Sequence, residues 1–233
     1  MTEFFISIGT IIIDDIVLPD RTTKMGILGG GLTHAAMGMR VWSDNVGLVS
    51  GVGGDFSTEF LNRLESYFNV AGLGIYQNKA TPRAWQRFEA DGTRHEVFQT
   101  DFVEMKDLIP DPDALPEIYS PLIGVHLHCP PEDVRRWVPA LRKRGCGTIL
   151  WEPWDDFCIP ENQMLFRENS AMVDIVSPNL REGRLLTGLE DPQEIVTRLL
   201  EFGAQNAILR MADAGSLIAD LQGDLHWTPA YPV

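Results

Sequence analysis

The fold is decided at residues 174–188, which read DIVSPNLREGRLLTG. A short apolar strand stops at Ser177, because the proline that follows disfavours helical geometry at the residue before it. Asn179 then starts a helix as its N-cap, with Glu182 three residues later. Gly188 is the residue type that closes a helix. The stretch therefore predicts a strand, a tight corner and a helix in direct succession.

The spacing of Asn179 and Glu182 has two interpretations. In an ordinary capping box, which the spacing alone favours, each residue's side chain accepts a hydrogen bond from the other's backbone N–H. The second interpretation rests on the position of the corner at the carboxyl end of a strand, where open α/β sheets bind ligands. A carboxylate beside a helix N-terminus could hold a hydrated Mg²⁺ against a phosphate. The rest of the sequence must decide between them.

The composition is that of a globular protein with an acidic surface. The 233 residues, 44% of them hydrophobic, can bury a full core and suit one domain. The 19 Lys+Arg against 33 Asp+Glu give a net charge of −14, which argues against nucleic acid and anionic membranes as partners. The three cysteines form no C-x-x-C pair, and no signal peptide or membrane span is apparent. We therefore expect a cytoplasmic protein.

Apolar segments of strand length alternate with segments of helical pattern. Apolar runs predict strands at residues 4–8, 46–50, 122–128, 147–151, 206–210 and 215–219. Helical patterns follow at residues 132–144, 162–169 and 192–202. This alternation predicts an α/β fold with a central parallel sheet and crossover helices.

The glycines at residues 51–54 lead into a further predicted helix, with Asp55 as its N-cap. Its apolar face would hold Phe56, Phe60, Leu64 and Phe68. These glycines are not a dinucleotide fingerprint, because Phe56 stands where the third glycine should be. No Gly-Lys pair occurs in the sequence, which excludes a P-loop.

Two N-terminal stretches could contact a ligand. Asp14 follows the apolar run at residues 11–13 and either ends that strand, which is the usual case, or points its carboxylate at a ligand hydroxyl. Residues 28–37 place three glycines before a predicted helix. These glycines could form a flexible turn, or they could let the backbone approach a ligand closely. The sequence favours neither interpretation of the glycines.

Two further stretches have polar side chains in a strand pattern. Residues 83–98 predict a hairpin, which could cover a cleft as part of a small sheet or lie at the edge of the main body. His126 and His128 point the same way, beside Cys129. We expect these histidines to pack in the core, because a metal site would need further ligands that the sequence does not indicate.

Taken together, the sequence resembles the ribokinase-like (PfkB) family of sugar and nucleoside kinases. The family's N-terminal motif is matched by Gly29-Gly30 through His34 and Ala36 and by residues 52–55, its N-x-x-E motif by residues 174–188, and its strand and turn near the nucleotide by residues 208–217. The three motifs occur in the family's order. The resemblance implies one ribokinase-like α/β domain over residues 1–233, with lid segments at about residues 14–28 and 83–98.

The resemblance also implies roles for particular residues. Those that correspond to substrate-binding positions are Asp14, Gly29, Gly30 and His34. Those on the nucleotide side are Asn179, Arg210 and Gly215. Glu182 corresponds to the residue associated with Mg²⁺ and phosphate, so the implied cofactors are Mg²⁺ and ATP as the phosphoryl donor. The implied partner is a small sugar or nucleoside substrate, and the lid could form a homodimer.

The sequence departs from the family pattern at four positions and at its end. Ile12 and His34 stand where family members usually have Asn. Gly31 stands where they often have Asn or Lys, and Ala212 stands where they usually have Gly. Family members continue into a D-T-x-G-A-G-D motif, whose last Asp is the catalytic base, and this sequence reaches Val233 just before it. We therefore expect the base to lie beyond Val233, with the C-terminal part of the fold absent and the 233-residue chain inactive.

The function expected from the resemblance is ATP-dependent phosphorylation of a hydroxyl group on a sugar or nucleoside-like substrate. The alternative is a non-catalytic ligand-binding or regulatory protein on a kinase fold. A nicotinamide-dependent oxidoreductase is disfavoured, because the sequence has no strand-G-x-G-x-x-G-helix unit.

Overall fold

The computed structural model describes residues 3–232. The chain forms two compact units, the first extending to Leu122 and the second starting at Ile123. No helix among the described residues is long and apolar enough to cross a membrane.

The first unit contains three parallel strands and a separate mixed sheet of four strands, called the small sheet. Its elements are β1 (Phe4–Ile8), β2 (Ile12–Val17), β3 (Thr23–Gly29), α1 (Gly31–Arg40), β4 (Val46–Gly53), α2 (Thr58–Glu65), β5 (Asn69–Tyr76), β6 (Arg83–Phe88), β7 (Arg94–Phe98) and α3 (Phe102–Lys106). Strands β1, β4 and β5 are parallel neighbours. The small sheet has the order β3-β2-β6-β7, in which only the β2–β6 pair is parallel.

The core of the first unit lies between its parallel sheet and its helices. Its buried members include Leu32, Ala36, Val46, Leu48, Val52, Leu64 and Phe68. Apolar residues on one face of α1 and α2 thus meet the fully buried strand β4, which is the packing that the hydrophobic pattern predicts.

The aspartates at positions 14 and 15 lie inside β2, so the expectation that Asp14 ends its strand is wrong. Asp15 accepts hydrogen bonds from the Arg83 guanidinium at 2.9 Å and from the Gly26 N–H at 2.8 Å. Asp14 accepts one from the Gln86 side chain at 3.0 Å. Because both carboxylates have partners, β2 can continue past them and pair with β3 and β6.

The predicted N-cap of α2 is also wrong. Strand β4 runs on to Gly53, and α2 begins at Thr58 with Ser57 as its N-cap. Asp55 instead accepts hydrogen bonds from the N–H and hydroxyl of Thr81, at 2.7 and 2.8 Å. This long-range contact ties the end of β4 to the start of the small sheet. The sequence did not indicate β5, because its glycines interrupt the apolar pattern.

The second unit contains a parallel sheet that ends in an antiparallel hairpin. Its elements are β8 (Leu122–His128), α4 (Pro131–Lys143), β9 (Thr148–Glu152), α5 (Gln163–Ser170), β10 (Ile175–Val176), α6 (Leu180–Thr187), α7 (Pro192–Glu201), β11 (Asn206–Arg210), β12 (Ser216–Asp220) and β13 (Leu225–Thr228). Strands β8 to β11 are parallel in that order, and β12 and β13 are antiparallel. The predicted alternation of strands and helices is confirmed here.

The corner at residues 174–188 has the predicted structure. Strand β10 ends at Val176, Asn179 caps α6, and Gly188 ends the helix with a positive φ of 72°. Asp191 likewise caps α7, with Pro192 as its first residue. Local backbone preferences therefore determine this part of the chain.

Ala212 has a backbone conformation that suits glycine. Its φ is 51°, in the left-handed region, and it starts the short 3₁₀ turn Ala212–Ala214 that joins β11 to β12. A Cβ atom makes this conformation unfavourable by about 1–2 kcal/mol. The position is also the one where the resembling family usually has glycine, so the alanine carries strain in this turn.

We expect Ala212→Gly to raise the free energy of unfolding by about 0.5–1 kcal/mol, since it removes the strained Cβ at some cost in backbone entropy. Urea unfolding measures this change. The matched control, Ala214→Gly, lies in the same turn without a positive φ and should lower stability slightly. Equal effects of the two substitutions would contradict the prediction.

Candidate active site

Charged and polar side chains gather at the carboxyl ends of the four parallel strands of the second unit. His126 lies near the end of β8, Glu152 ends β9, Asn179 follows β10 and Arg210 ends β11. Because these strands are parallel neighbours, their carboxyl ends meet at one edge of the sheet. This is the edge at which open α/β sheets bind ligands.

Glu152 lies at the centre of this cluster. Its Oε2 is 2.8 Å from His126 Nε2, and its Oε1 is 2.7 Å from the Arg210 guanidinium. Burial by itself raises the pKa of Glu152, but the hydrogen bond to His126 and the nearby positive charge outweigh burial and lower it to about 2. Glu152 is therefore a carboxylate at neutral pH.

Asn179 and Glu182 form the full capping box. The Asn179 side chain accepts a hydrogen bond from the Glu182 N–H at 2.9 Å, and the Asn179 N–H donates to Glu182 Oε2 at 2.6 Å. The Asn179 amide also donates to Glu182 Oε1 at 2.6 Å. The Glu182 carboxyl is buried, and burial raises its pKa to about 7, against the opposing effects of Asn179 and Arg210.

Arg210 joins the two glutamates. Its guanidinium lies 2.7 Å from Glu152 and 3.7 Å from Glu182, and its Nε donates to the Ser177 carbonyl. Once Glu182 ionises, its carboxylate and that of Glu152 outnumber the one guanidinium, so the cluster is net negative when the histidines are neutral. A carboxylate has about four lone-pair sites, so Glu182 can accept further contacts beside those from Asn179. A hydrated Mg²⁺ needs only one or two carboxylates plus phosphate, and this donor set fits it.

The two histidines of β8 differ in their surroundings. His126 is buried and hydrogen-bonded to Glu152, so it belongs to the charged cluster as well as to the core. His128 stacks beside it at 6.3 Å between ring centres, and burial lowers its pKa to about 4. Within residues 3–232, no three His, Cys, Asp or Glu side chains form a group that could hold a metal ion by themselves.

Gly215, a predicted nucleotide-binding residue, has a structural role in the turn after β11. Its φ is 87°, and a Cβ atom there would collide with the backbone carbonyl of Thr228. Its lack of a side chain thus lets β13 approach the turn closely.

The predicted substrate residues of the first unit form a second cluster. Gly29 faces Asp14 across the small sheet, and a Cβ atom at Gly29 would collide with the Asp14 carboxylate. Gly30 has a φ of 95°, and a Cβ there would lie 2.6 Å from the Thr10 carbonyl. Both glycines therefore permit close packing within the protein. His34 lies in the first turns of α1, close enough to Asp14 to act on its charge.

The sequence analysis missed two residues that these clusters contain. Glu152 directly follows an apolar strand, which is the same signal that singled out Asp14. Gln86, which is bonded to Asp14, gave no signal because a polar residue in an alternating strand usually faces solvent. The predicted catalytic base, beyond Val233, lies outside the described residues.

The raised pKa of Glu182 makes stability depend on pH. Above its ordinary value of 4.5 the unfolded chain ionises Glu182, whereas the folded protein keeps the proton until about pH 7. The folded state therefore binds more protons over this range, and stability falls as pH rises through it. We expect Glu182→Gln, which cannot ionise, to gain about 2 kcal/mol relative to the native protein between about pH 5 and 8.

Urea unfolding at four pH values across this range measures the difference. Glu190→Gln is the control, because the Glu190 side chain is 83% exposed and pairs with Arg184 only at the surface, so its substitution should change stability little throughout the series. A constant difference for Glu182→Gln as well would show that the Glu182 pKa is not raised.

The chain is similar in sequence and in fold to known proteins. Residues 4–233 match the family profile described as pfkB family carbohydrate kinase. A cytidine kinase from Thermococcus kodakarensis is 27% identical over 227 residues, which are 97% of this chain and 78% of that protein.

Two solved structures share the fold. An E. coli protein assigned as ribokinase II, in complex with ATP and Mg²⁺, has a TM-score of 0.73 at 18% identity, with 100% of this chain and 80% of that one covered. Aminoimidazole riboside kinase from Salmonella enterica, in complex with aminoimidazole riboside and an ATP analogue, has a TM-score of 0.74 at 15% identity, with 98% and 77% covered. Together with the profile match over nearly all of its residues, the parallel α/β architecture and the N-x-x-E corner identify this chain as a member of the PfkB carbohydrate kinase family, with the ribokinase-like fold.

Proposed function

We propose that this protein transfers the γ-phosphoryl group of ATP to a hydroxyl of a sugar or nucleoside. The observation that carries the proposal is the buried Glu182 carboxylate, which Asn179 holds at a helix N-terminus beside the Arg210 guanidinium. A helix N-terminus and a guanidinium attract phosphate, and the carboxylate attracts a cation. The likeness to a cytidine kinase supports the same reaction class.

The proposed reaction is an in-line displacement. The acceptor oxygen forms a bond to the γ-phosphorus, the bond from that phosphorus to the β,γ-bridging oxygen breaks, and ADP leaves with the bonding electrons. The hydroxyl proton passes to a general base as the new bond forms. Such transfers depend on positioning and charge neutralisation more than on covalent chemistry by the protein.

Each cluster has a role in this proposal. Asp14 orients the acceptor hydroxyls, with Gly29, Gly30 and His34 beside it. Asn179, Arg210 and Gly215 lie on the nucleotide side, and Glu182 would hold hydrated Mg²⁺. When bound with the nucleotide, Mg²⁺ neutralises phosphate charge.

We also propose what the enzyme binds and in which compartment it acts. Its substrate is a small molecule, with neither nucleic acid nor a membrane as partner. We place it in the cytoplasm, and its buried cysteines, Cys129, Cys146 and Cys158, are unpaired, in keeping with a reducing compartment.

The test uses the full natural protein with ATP, Mg²⁺ and a panel of sugars and nucleosides. We expect ADP release that depends on one class of acceptor. Asp14→Asn should lower kcat/KM by about 10²-fold, because a misplaced acceptor loses the in-line geometry. Acceptor binding without any product would instead favour the alternative, a non-catalytic binding or regulatory protein.

Asp15→Asn is the matched control, since Asp15 precedes Ile16 in the same strand and bonds Arg83 on the other face of the small sheet. It should lower the free energy of unfolding by about 1–3 kcal/mol and leave the acceptor KM unchanged. Full activity of Asp14→Asn, or no phosphorylation of any acceptor, would refute the proposal.

We also propose a homodimer formed through the small sheet, which is the predicted lid. Trp85 and Val97 are cross-strand partners on its outer face, and their residues are 37% and 58% exposed. Exposed apolar side chains on a sheet face favour association.

Light scattering coupled to size-exclusion chromatography tests this second proposal. We expect a dimer for the native protein and a monomer for Val97→Lys, because a charge on that face opposes burial. Val103→Lys, at a 69% exposed apolar position of α3 outside the small sheet, is the control and should remain a dimer. A native protein that stays monomeric at high concentration would contradict the proposal.

A further inference from the structure

The face of the small sheet that holds Asp14 carries a second polar residue that the proposed mechanism does not use. Gln86 on β6 is 5% exposed. Its Nε2 lies 3.0 Å from Asp14 Oδ1 and 2.6 Å from Glu96 Oε1. Both neighbours are carboxylate oxygens, which can only accept, so the amide nitrogen must face them. Gln86 thus links two acidic groups through its two N–H donors.

This arrangement determines where the amide oxygen of Gln86 points. With both N–H groups donated to carboxylates, the Gln86 Oε1 is buried and has no hydrogen-bond partner among the described residues. A buried amide oxygen is unfavourable until a donor reaches it. Since Gln86 adjoins Asp14, a bound acceptor that offers an O–H or N–H group could supply that donor.

The charges around Gln86 are unfavourable for an anion. Burial raises the pKa of Asp14, and the charge of Glu96 acts in the same direction. The cationic groups near this pair are Arg94, which is 3.9 Å from Glu96 and has a 56% exposed side chain, and His34. Even with His34 charged, Arg94 and His34 only balance the two carboxylates, so this group of four side chains has no surplus positive charge for a phosphate or carboxylate on the acceptor.

We propose that Gln86 is a specificity-determining residue, and that the Asp14–Gln86–Glu96 group selects an uncharged acceptor rich in hydrogen-bond donors over one that bears a phosphate or carboxylate. This inference rests on the proposed kinase function. The chemical class it names is a polyhydroxyl or amino-bearing sugar or nucleoside. Rejection of acidic acceptors follows from repulsion, and selection of donors follows from the free amide oxygen.

Binding of matched acceptor pairs to the complete protein tests the substrate class. Each pair has an uncharged member and a counterpart that carries a carboxylate and is not a product of phosphoryl transfer, such as glucose with glucuronate or uridine with orotidine. Calorimetry should show the uncharged member of the preferred pair binding at least about tenfold more tightly. An acidic member that binds as tightly or more tightly overturns the inference, and if it is also phosphorylated the kinase proposal stands. Binding of no acceptor at all overturns both.

Two variants test the role of Gln86 itself. Gln86→Met keeps the side-chain volume and should raise the KM of the uncharged acceptor about tenfold with a smaller change in kcat, since it removes a ground-state contact. Gln99→Met is the matched control, because Gln99 makes the same kind of bond, at 3.1 Å, to Asp15 on the other face. Equal KM values for the two variants would show that Gln86 acts only on stability and would overturn its assigned role.

A third variant keeps the test valid if Gln86→Met folds poorly. Glu96→Gln retains an acceptor for the Gln86 amide but removes one negative charge. We expect it to narrow the ratio of affinities between uncharged and acidic acceptors about tenfold, while the native amide geometry is kept. An unchanged ratio would overturn the assignment of charge selection to this group.

Discussion

The hydrogen-bonded pair of Asn179 and Glu182 is the constraint on which the second unit depends. The same carboxylate closes the chain reversal after β10 and lies where the strands end. A buried carboxylate is unfavourable unless it is neutral or paired, and this one has the backbone and side-chain donors of Asn179 with Arg210 nearby. Local folding and the proposed ligand chemistry thus share one side chain, so the capping box and the proposed binding site are compatible interpretations of the same spacing.

The same physical rule holds for both clusters: specific hydrogen-bond donors stabilise a buried carboxylate. In the second unit, His126 and Arg210 hold Glu152 in its ionised form. In the first unit, the uncharged Gln86 amide donates a hydrogen bond to Asp14, and burial raises the pKa of that carboxyl. The cluster of the second unit suits phosphate and a cation, and the cluster of the first unit suits neutral hydroxyl groups. This difference in charge supports the proposed transfer of phosphate to an uncharged alcohol.

The sequence predicted what neighbouring residues determine. The corner at residues 174–188 was predicted in full, because the proline at its start, the N-cap and the C-terminal glycine act on the backbone locally. Asp55 was misplaced as a helix cap, since its partner Thr81 is 26 residues away and outweighs the local preference. Gln86 was missed for the same reason, because it meets Asp14 across 72 residues of sequence.

The strain at Ala212 illustrates a further limit. Its backbone conformation could not be derived from alanine, which disfavours a positive φ, and only the family resemblance marked the position as one where glycine is usual. Surrounding contacts impose the turn on an unsuitable residue. The sequence therefore indicates where a substitution departs from a pattern, and the structure shows the strain that follows from it.

The proposed function depends on Glu182, which we propose holds the Mg²⁺ that binds together with the nucleotide. The most direct measurement is the affinity of the complete protein for ATP, by calorimetry, with and without Mg²⁺, in native and Glu182→Gln forms. The account predicts that the native protein binds ATP at least about tenfold more tightly with Mg²⁺, and that the variant loses this preference while still binding ATP. A variant that keeps the full preference for Mg²⁺ would contradict the account.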